Sequence, residues 1–240
     1  MVNIVVSKYN EDIDWVKKIN HKVTIYDKSK NPVEGSIKLK NVGREGETFL
    51  YHIVNNYNNL DDVTVFLQGN PFEHLQLLVG WRAKLTDDEI NTVINKMNTE
   101  INDKSDFSTF YQVLYNDPNS TNGVNTSDAC MKYYGKSYDN FTVSPGAQYI
   151  VPKEYILSRP FEFWKILHLA MYNEELNGYC QEQLWYLAFN HEMNTNVGNH
   201  DQEKDRCIKS PPSFNNTPYS YSFFNSSIVN SCRFKLEKPI

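Results

Sequence analysis

The first half of the chain alternates short apolar runs with segments of helical spacing. The apolar runs predict strands at residues 3–7, 22–26 and 63–67, and the segments between them predict helices near 12–19 and 46–57. This order is typical of an α/β domain, in which right-handed crossovers make the strands parallel. We therefore expect the three strands to be neighbours in one sheet, with their carboxyl ends on a common edge.

The second half of the chain is less regular. It predicts, in order, a helix near 86–101, a strand at 149–151, helices that begin after Pro152 and Pro160, and a helix at 182–189. Residues 107–138 lack periodicity and are rich in Tyr, Asn and Ser, which is typical of a lid or a binding loop. We expect residues 1–190 to form one domain and the polar residues 191–240 to be a strap or an extension of that domain.

Charge and hydropathy limit the partners of this chain. The formal net charge of −5 at pH 7 provides no basic surface for wrapping a duplex, so we expect no nucleic-acid partner. No apolar run approaches the roughly 18 residues of a membrane span, and the residues after Met1 lack the charged and apolar segments of a signal peptide. The sequence therefore predicts a cytoplasmic protein without a membrane span.

Polar side chains follow the predicted strands at the edge where the carboxyl ends meet. The first strand ends at Ser7 and is followed by Lys8, Tyr9, Asn10 and Glu11, the second is followed by Asp27 and Lys28, and the third is followed by Gln68, Asn70 and His74. Ligands of open α/β sheets bind at this edge, so these turns predict a binding site. Asn10 and Glu11 have a simpler alternative as caps, because Asn between a strand and a helix is a favoured N-cap.

A glycine-flanked arginine precedes the second predicted helix. Gly43 and Gly46 bracket Arg44, so backbone N–H groups and a bidentate cation are available at one helix N-terminus. That combination suits a diphosphate group. The alternative is an exposed ion pair between Arg44 and Glu45, which would contribute little to stability.

Glu182 is the candidate general base. It lies in a segment dense in apolar and aromatic residues, among them Tyr179 and Trp185. A carboxylate in such surroundings either faces solvent or has its pKa shifted towards the range that suits proton transfer. Glu73, next to His74, is the competing candidate.

Five motifs occur in order over roughly residues 3–190, namely SKYNED, NVGREGETFLYHI, VFLQGNPFEH, GAQYIVPKEYI and EQLWYLAF. Together they resemble a family of uncharacterised domains of the GT-A glycosyltransferase type. The resemblance implies a GT-A-like, Rossmann-type, mostly parallel sheet flanked by helices, with residues 1–190 as a nucleotide-sugar transferase domain. It also implies transfer of a hexose or pentose from a nucleotide-sugar donor to a glycan acceptor.

The resemblance also implies which residues hold the donor. Tyr9 would stack on the nucleotide base, while Ser7 and Asn10 would bond to the base or to the ribose. The implied donor-binding residues are Ser7, Lys8, Tyr9, Asn10, Glu11, Asn41, Arg44, Gln68, Asn70 and His74.

The acceptor side of the implied site contains Trp81 and Arg82. An aromatic face stacks on sugars, although a half-buried structural role is the alternative for Trp81. Glu182, or Glu73 in its place, would take the proton of the acceptor hydroxyl during displacement at the donor sugar.

One motif departs from the GT-A pattern. In that type the strand before the active site ends in Asp-x-Asp, which binds Mn²⁺ or Mg²⁺ and through it the donor diphosphate. This chain has Gln68, Gly69 and Asn70 there, and losing both acids removes most of the affinity for a hard cation. The sequence therefore puts metal dependence in doubt and keeps open an alternative function, a non-catalytic nucleotide- or carbohydrate-binding domain.

A hydrolase is disfavoured because the sequence has no GxSxG, paired-acid or zinc motif.

Overall fold

The computed structural model describes residues 1–75, 85–110, 113–115, 125–135, 141–144 and 146–189 of the 240-residue chain. Its strands are β1 (Val2–Lys8), β2 (Lys22–Asp27), β3 (Ile37–Lys38), β4 (Val63–Gln68), β5 (Ser108–Thr109), β6 (Val113–Tyr115), β7 (Phe141–Val143) and β8 (Tyr149–Pro152). Its α-helices are α1 (Arg44–Asn56), α2 (Phe72–Leu75), α3 (Asp87–Glu100), α4 (Thr126–Tyr134), α5 (Lys153–Leu157), α6 (Phe161–Tyr172) and α7 (Gly178–Ala188). A 3₁₀ helix, Asp14–Lys18, follows β1.

A mostly parallel sheet forms the centre of the domain, with the strand order β3-β2-β1-β4-β8-β5. β1 is parallel to both of its neighbours, and Val5 pairs with Thr24 of β2 and with Phe66 of β4. β8 runs antiparallel to β4 and to β5, while β6 and β7 form a separate antiparallel pair. The prediction that the first three predicted strands are adjacent and parallel is confirmed.

Helices cover both faces of this sheet. Ile4 and Val6 of β1 join one core with Met97 of α3, whereas Val5 joins a second core with α1, α6 and α7, which includes Trp164. The alternation follows from the two-residue period of a strand. The predicted α/β class, a mostly parallel sheet flanked by helices in a single domain, is therefore confirmed. In the described part of the chain, no helix is both long enough and apolar enough to cross a bilayer.

Several helix boundaries follow directly from local sequence signals. Thr86 and Glu89 form a capping box at the start of α3, in which each side chain accepts a hydrogen bond from the backbone N–H of the other residue. Pro152 and Pro160 stand at the N-caps of α5 and α6, as predicted. The predicted helices at 46–57 and 182–189 correspond to α1 and α7.

The α-helix predicted near 12–19 is wrong, because the chain forms only the short 3₁₀ helix there. The carboxylate of Asp12 accepts a hydrogen bond from the backbone N–H of Asp14 at 2.8 Å, which closes a tight turn. The indole N–H of Trp15 then donates to the carbonyl of Gly69 at 3.0 Å. The N-cap of the 3₁₀ helix is Ile13 and makes no side-chain cap, so the alternative of Asn10 or Glu11 as an N-cap is also wrong.

The order of the strands determines where a ligand site can lie. Chain order runs outward from β1 to β2 and β3 on one side, and β4 lies on the other side of β1. Ligands of open α/β sheets bind where the order reverses, beyond the carboxyl ends of the strands. In this chain that position is the carboxyl ends of β1 and β4, which we call the carboxyl rim.

Candidate functional site at the carboxyl rim

The turns that follow β1 and β4 lie against each other. A Cβ atom added to Gly69 would lie only 2.7 Å from Oε2 of Glu11, so the carboxylate of Glu11 covers the space of a side chain at position 69. The same Oε2 accepts a hydrogen bond from the backbone N–H of Tyr9 at 2.6 Å. A side chain at position 69 would therefore displace the carboxylate of Glu11 from this turn.

The turn before β8 completes this side of the rim. Gly146 has a φ of +73°, and an added Cβ would lie 2.6 Å from Cδ2 of His74 and 2.9 Å from Oε1 of Gln68. The amide of Gln68 donates to the carbonyl of Asn70 at 2.7 Å. Gln68, Asn70 and His74 are thus brought together, as the sequence predicted, and Gly146 is an additional member.

Glu182 reaches the same place from α7. Its Oε1 accepts a hydrogen bond from the backbone N–H of Gly146 at 2.7 Å. Burial and the neighbouring Glu45 carboxylate raise the pKa of Glu182 to about 7, although the hydrogen bond from Gly146 and the charge of Arg44 oppose this shift. A carboxylate with a pKa in that range can both take and release a proton near neutral pH.

Arg44 spans the gap between α1 and α7. Its Nη1 donates to the hydroxyl of Tyr179 at 2.8 Å, and its guanidinium carbon lies 4.4 Å from the centroid of the same ring. Its Nε lies 3.5 Å from Oε2 of Glu45, so the predicted ion pair is present. About half of the Arg44 side chain, 48%, remains exposed and is available to a ligand.

Strained backbone lies on both sides of the rim. Gly43 and Arg44 have φ values of +59° and +53°, and Gly146 and Ala147 have values of +73° and +52°. A left-handed conformation costs a residue with a side chain roughly 1–2 kcal/mol, so Arg44 and Ala147 are held there by their surroundings. Such strain clusters at ligand sites.

We expect this strain to be measurable at Arg44. Arg44→Gly should be more stable than Arg44→Ala by roughly 1 kcal/mol, because only glycine adopts this φ without a steric cost. Urea unfolding of both variants tests the difference. At Asn95, which is exposed in the middle of α3, the same two substitutions should give the opposite sign. Equal stability of the two Arg44 variants would contradict the strain.

Two of the predicted donor residues have interior contacts. The hydroxyl of Ser7 donates to that of Thr48 at 2.9 Å, and the ammonium of Lys8 lies 3.3 Å from Oδ2 of Asp27. Both side chains are buried. Ser7 therefore connects β1 to α1, and Lys8 connects β1 to β2, in the interior next to the carboxyl rim.

Other predicted residues are open to solvent. Tyr9 is 44% exposed at the end of β1, and Asn10 and Asn41 are also exposed. Glu73, the competing base, is exposed on α2 and lacks the enclosure of Glu182. The predicted acceptor residues Trp81 and Arg82 lie outside the described residues, as does the predicted strap at 191–240.

Family comparison places this rim within a known domain. A family model described as a protein of unknown function (DUF3431) matches residues 4–209. The chain belongs to the DUF3431 family. The match covers the central sheet from Ile4 of β1 onward, together with the turns of the carboxyl rim. No curated protein and no solved structure matches the chain.

The DUF3431 rim does not fit the divalent-metal site of GT-A enzymes. The side-chain amide of Gln68 donates to the chain itself, Gly69 offers no side chain, and Glu11 already accepts from the backbone of Tyr9. Over the residues that the structure describes, no group of three His, Cys, Asp or Glu side chains could hold a metal ion.

Four members of the DUF3431 site were missed or undervalued at the sequence level, namely Lys28, Glu45, Gly146 and Tyr179. A signal existed for two of them. Gly146 follows Ser144 and Pro145 in a turn sequence, and Lys28 lies two residues after the second predicted strand. Glu45 and Tyr179 carry no such signal, because their roles depend on how α1 and α7 pack.

Proposed function

We propose that this DUF3431 domain is a glycosyltransferase of the GT-A type, which moves a sugar from a nucleotide-sugar donor to a glycan acceptor. The observation that carries the proposal is that Glu182 and Arg44 lie near enough at the carboxyl rim for each charge to affect the pKa of the other. One group has a pKa of about 7 and the other is a half-exposed cation. An acid–base group beside an anion-binding group is what transfer from a phosphorylated donor requires.

The donor diphosphate lies against Arg44 and the N-terminus of α1 in this proposal. The α1 helix has no side-chain cap at Gly43, so no side chain of the cap residue competes with an anion for its first N–H groups. The guanidinium adds a charge-assisted, bidentate contact. Tyr9 and Asn10, exposed at the end of β1, are placed to contact the nucleoside.

Glu182 acts on the acceptor. The acceptor oxygen attacks the anomeric carbon of the donor, the bond from that carbon to the phosphate oxygen breaks, and the acceptor proton passes to Glu182. The nucleoside diphosphate leaves with the bonding electrons, and Arg44 balances the charge that develops on it. The approach of the acceptor is from the side of α7.

The alternative function is a non-catalytic domain that binds a nucleotide or a carbohydrate. The replacement of Asp-x-Asp by Gln68, Gly69 and Asn70 favours it, because these residues do not fit a metal site. The raised pKa of Glu182 favours the transferase, because a carboxylate whose pKa is shifted towards neutral pH is typical of sites that transfer protons.

A thermal-shift panel of nucleotides and nucleotide sugars, each with and without Mn²⁺, tests the shared basis of both functions. We expect one nucleoside diphosphate and its sugar conjugates to raise the melting temperature, and the rise to persist without the metal. A panel without any stabilising nucleotide would contradict the transferase.

Arg44→Ala should weaken nucleotide diphosphate binding by about 1.5–3 kcal/mol, the usual range for a hydrogen bond to a charged group. Isothermal titration calorimetry measures this loss. Lys165→Ala is the matched control, because Lys165 is an exposed cation on α6 that pairs with Glu162 at 3.7 Å. Affinity unchanged in Arg44→Ala would refute the phosphate role.

A further inference from the structure

We propose that Lys28 is a positioning residue for the phosphate site, because its buried ammonium fixes the turn at residues 42–44 and thereby directs Arg44 towards α7. The ligand in this inference rests on the proposed function, whereas the positioning of Arg44 does not. Lys28 follows β2, and its side chain lies beneath the start of α1.

The ammonium of Lys28 contacts two carbonyls and one carboxylate. The Nζ atom donates to the carbonyl of Val42 at 2.7 Å and to the carbonyl of Arg44, and it lies 2.9 Å from Oε2 of Glu47. The carbonyls take two of its three donor positions, and the carboxylate balances its charge. The side chains of Lys28 and Glu47 are only 3% and 2% exposed, so water does not compete for these bonds.

The second oxygen of Glu47 extends the contact to α6. Oε1 of Glu47 lies 3.2 Å from Nε2 of His168, whose ring packs edge-on against Tyr51 at 5.8 Å between centroids. Lys28 is thus attached to a carboxylate that is itself held between α1 and α6. The ammonium cannot shift without breaking this arrangement.

The backbone around Arg44 has an unusual conformation that the ammonium of Lys28 stabilises. The two carbonyls that Lys28 binds flank Gly43, and the pair Gly43–Arg44 is left-handed, with φ values of +59° and +53°. This conformation turns both carbonyls inward to one cation. Without the cation, the steric cost of a left-handed φ would favour the return of Arg44 to a right-handed φ.

The direction of the Arg44 side chain follows from that backbone. Cδ of Arg44 lies 3.0 Å from the position that a Cβ on Gly178 would occupy, and the guanidinium bonds to Tyr179. A change in φ at residue 44 would rotate the Cα–Cβ bond and move the guanidinium away from α7. Lys28 therefore controls the distance between the phosphate-binding cation and Glu182.

The test replaces the buried pair by a neutral one, Lys28→Met with Glu47→Gln, so that no charge is left unpaired in the core. The matched control is Lys22→Met with Asp61→Asn, which removes another ion pair of a β2 lysine, at 2.8 Å, from the opposite end of the strand. The first readout is the NMR signal of the Arg44 side-chain Nε–H group, assigned by its loss in Arg44→Ala. The second readout is nucleotide affinity measured with and without Arg44→Ala.

We expect the Arg44 signal to lose the shift caused by the Tyr179 ring in the Lys28 variant and to keep it in the control. Nucleotide affinity should fall at least tenfold, and adding Arg44→Ala should cause no further loss. An unchanged Arg44 signal, or an affinity loss that adds fully to that of Arg44→Ala, would overturn the positioning role. If the parent protein binds no nucleotide, the proposed function fails, and the Arg44 signal still decides the inference.

Discussion

Glu182→Gln is expected to reduce the rate of sugar transfer by a factor of about 10² to 10⁴, the usual contribution of a general base. Glutamine keeps the size of the side chain and can still accept the 2.7 Å hydrogen bond from Gly146, so the turn before β8 should remain in place. Donor affinity should change little, because the carboxylate acts on the acceptor. Steady-state kinetics with donor titration separates the two effects.

The matched control for this variant is Glu162→Gln, which changes an exposed carboxylate on α6. Its transfer rate should equal that of the parent. If Glu182→Gln retains the parent rate, the base is another acid, and Glu73 is the next candidate. If binding and rate fall together with the melting temperature, Glu182 is a structural carboxylate.

The raised pKa of Glu182 also predicts a pH dependence. The transfer rate should rise with pH through about 7 and level off above it, because the base must be deprotonated. Stability should change in the opposite direction: since the folded pKa lies above the ordinary value of 4.5, the parent loses stability as pH rises from about 4.5 to about 7. Glu182→Gln should therefore be more stable than the parent at pH 8, by up to about 3 kcal/mol, and similar to it near pH 4.

Lys28→Met alone is expected to destabilise the fold by about 3–5 kcal/mol, the usual cost of removing one partner from a buried ion pair. The carboxylate of Glu47, 2% exposed, would lose the charge of Lys28 and keep its contact with His168. Urea unfolding followed by fluorescence measures the loss. The double variant Lys28→Met with Glu47→Gln should recover most of it, because no unpaired charge is then buried.

Lys22→Met is the control for that measurement. Lys22 pairs with Asp61 at 2.8 Å, but its side chain is 58% exposed, so its removal should cost no more than about 1 kcal/mol. Equal losses in Lys28→Met and Lys22→Met would show that burial does not strengthen the Lys28 pair. If Lys28→Met lost little stability and kept the native structure, that result would contradict the role of Lys28 as an anchor of α1.

The central strands could be predicted from the sequence because their signals are local. β1 and β4 are continuous runs of β-branched and apolar residues, as expected for strands buried on both faces. β3 and β5 have only two residues each, too few for a periodic pattern, and exist because a longer neighbour pairs with them. The 3₁₀ helix after β1 was mistaken for an α-helix because the turn formed by Asp12 has no periodic signature.

The candidate site was predictable only in part, because only some of its contacts follow from local sequence signals. The polar turns after β1 and β4 meet because parallel strands share an edge, and this the sequence could indicate. The contact between Glu182 and Gly146 joins residues 36 positions apart and depends on how α7 packs. The left-handed φ of Arg44 and the burial of Lys28 beneath Val42 likewise follow from tertiary contacts.

The release of nucleoside diphosphate distinguishes a transferase from a binding domain. It is measured with the nucleotide sugar that stabilises the parent protein and a mixture of glycan acceptors. The transferase predicts one nucleoside diphosphate released for each sugar that appears on an acceptor, at a rate that increases as pH rises through about 7. The contrary result is a donor whose binding is weakened by Arg44→Ala but which remains intact with every acceptor. That result would contradict the transferase and leave the binding domain as the function.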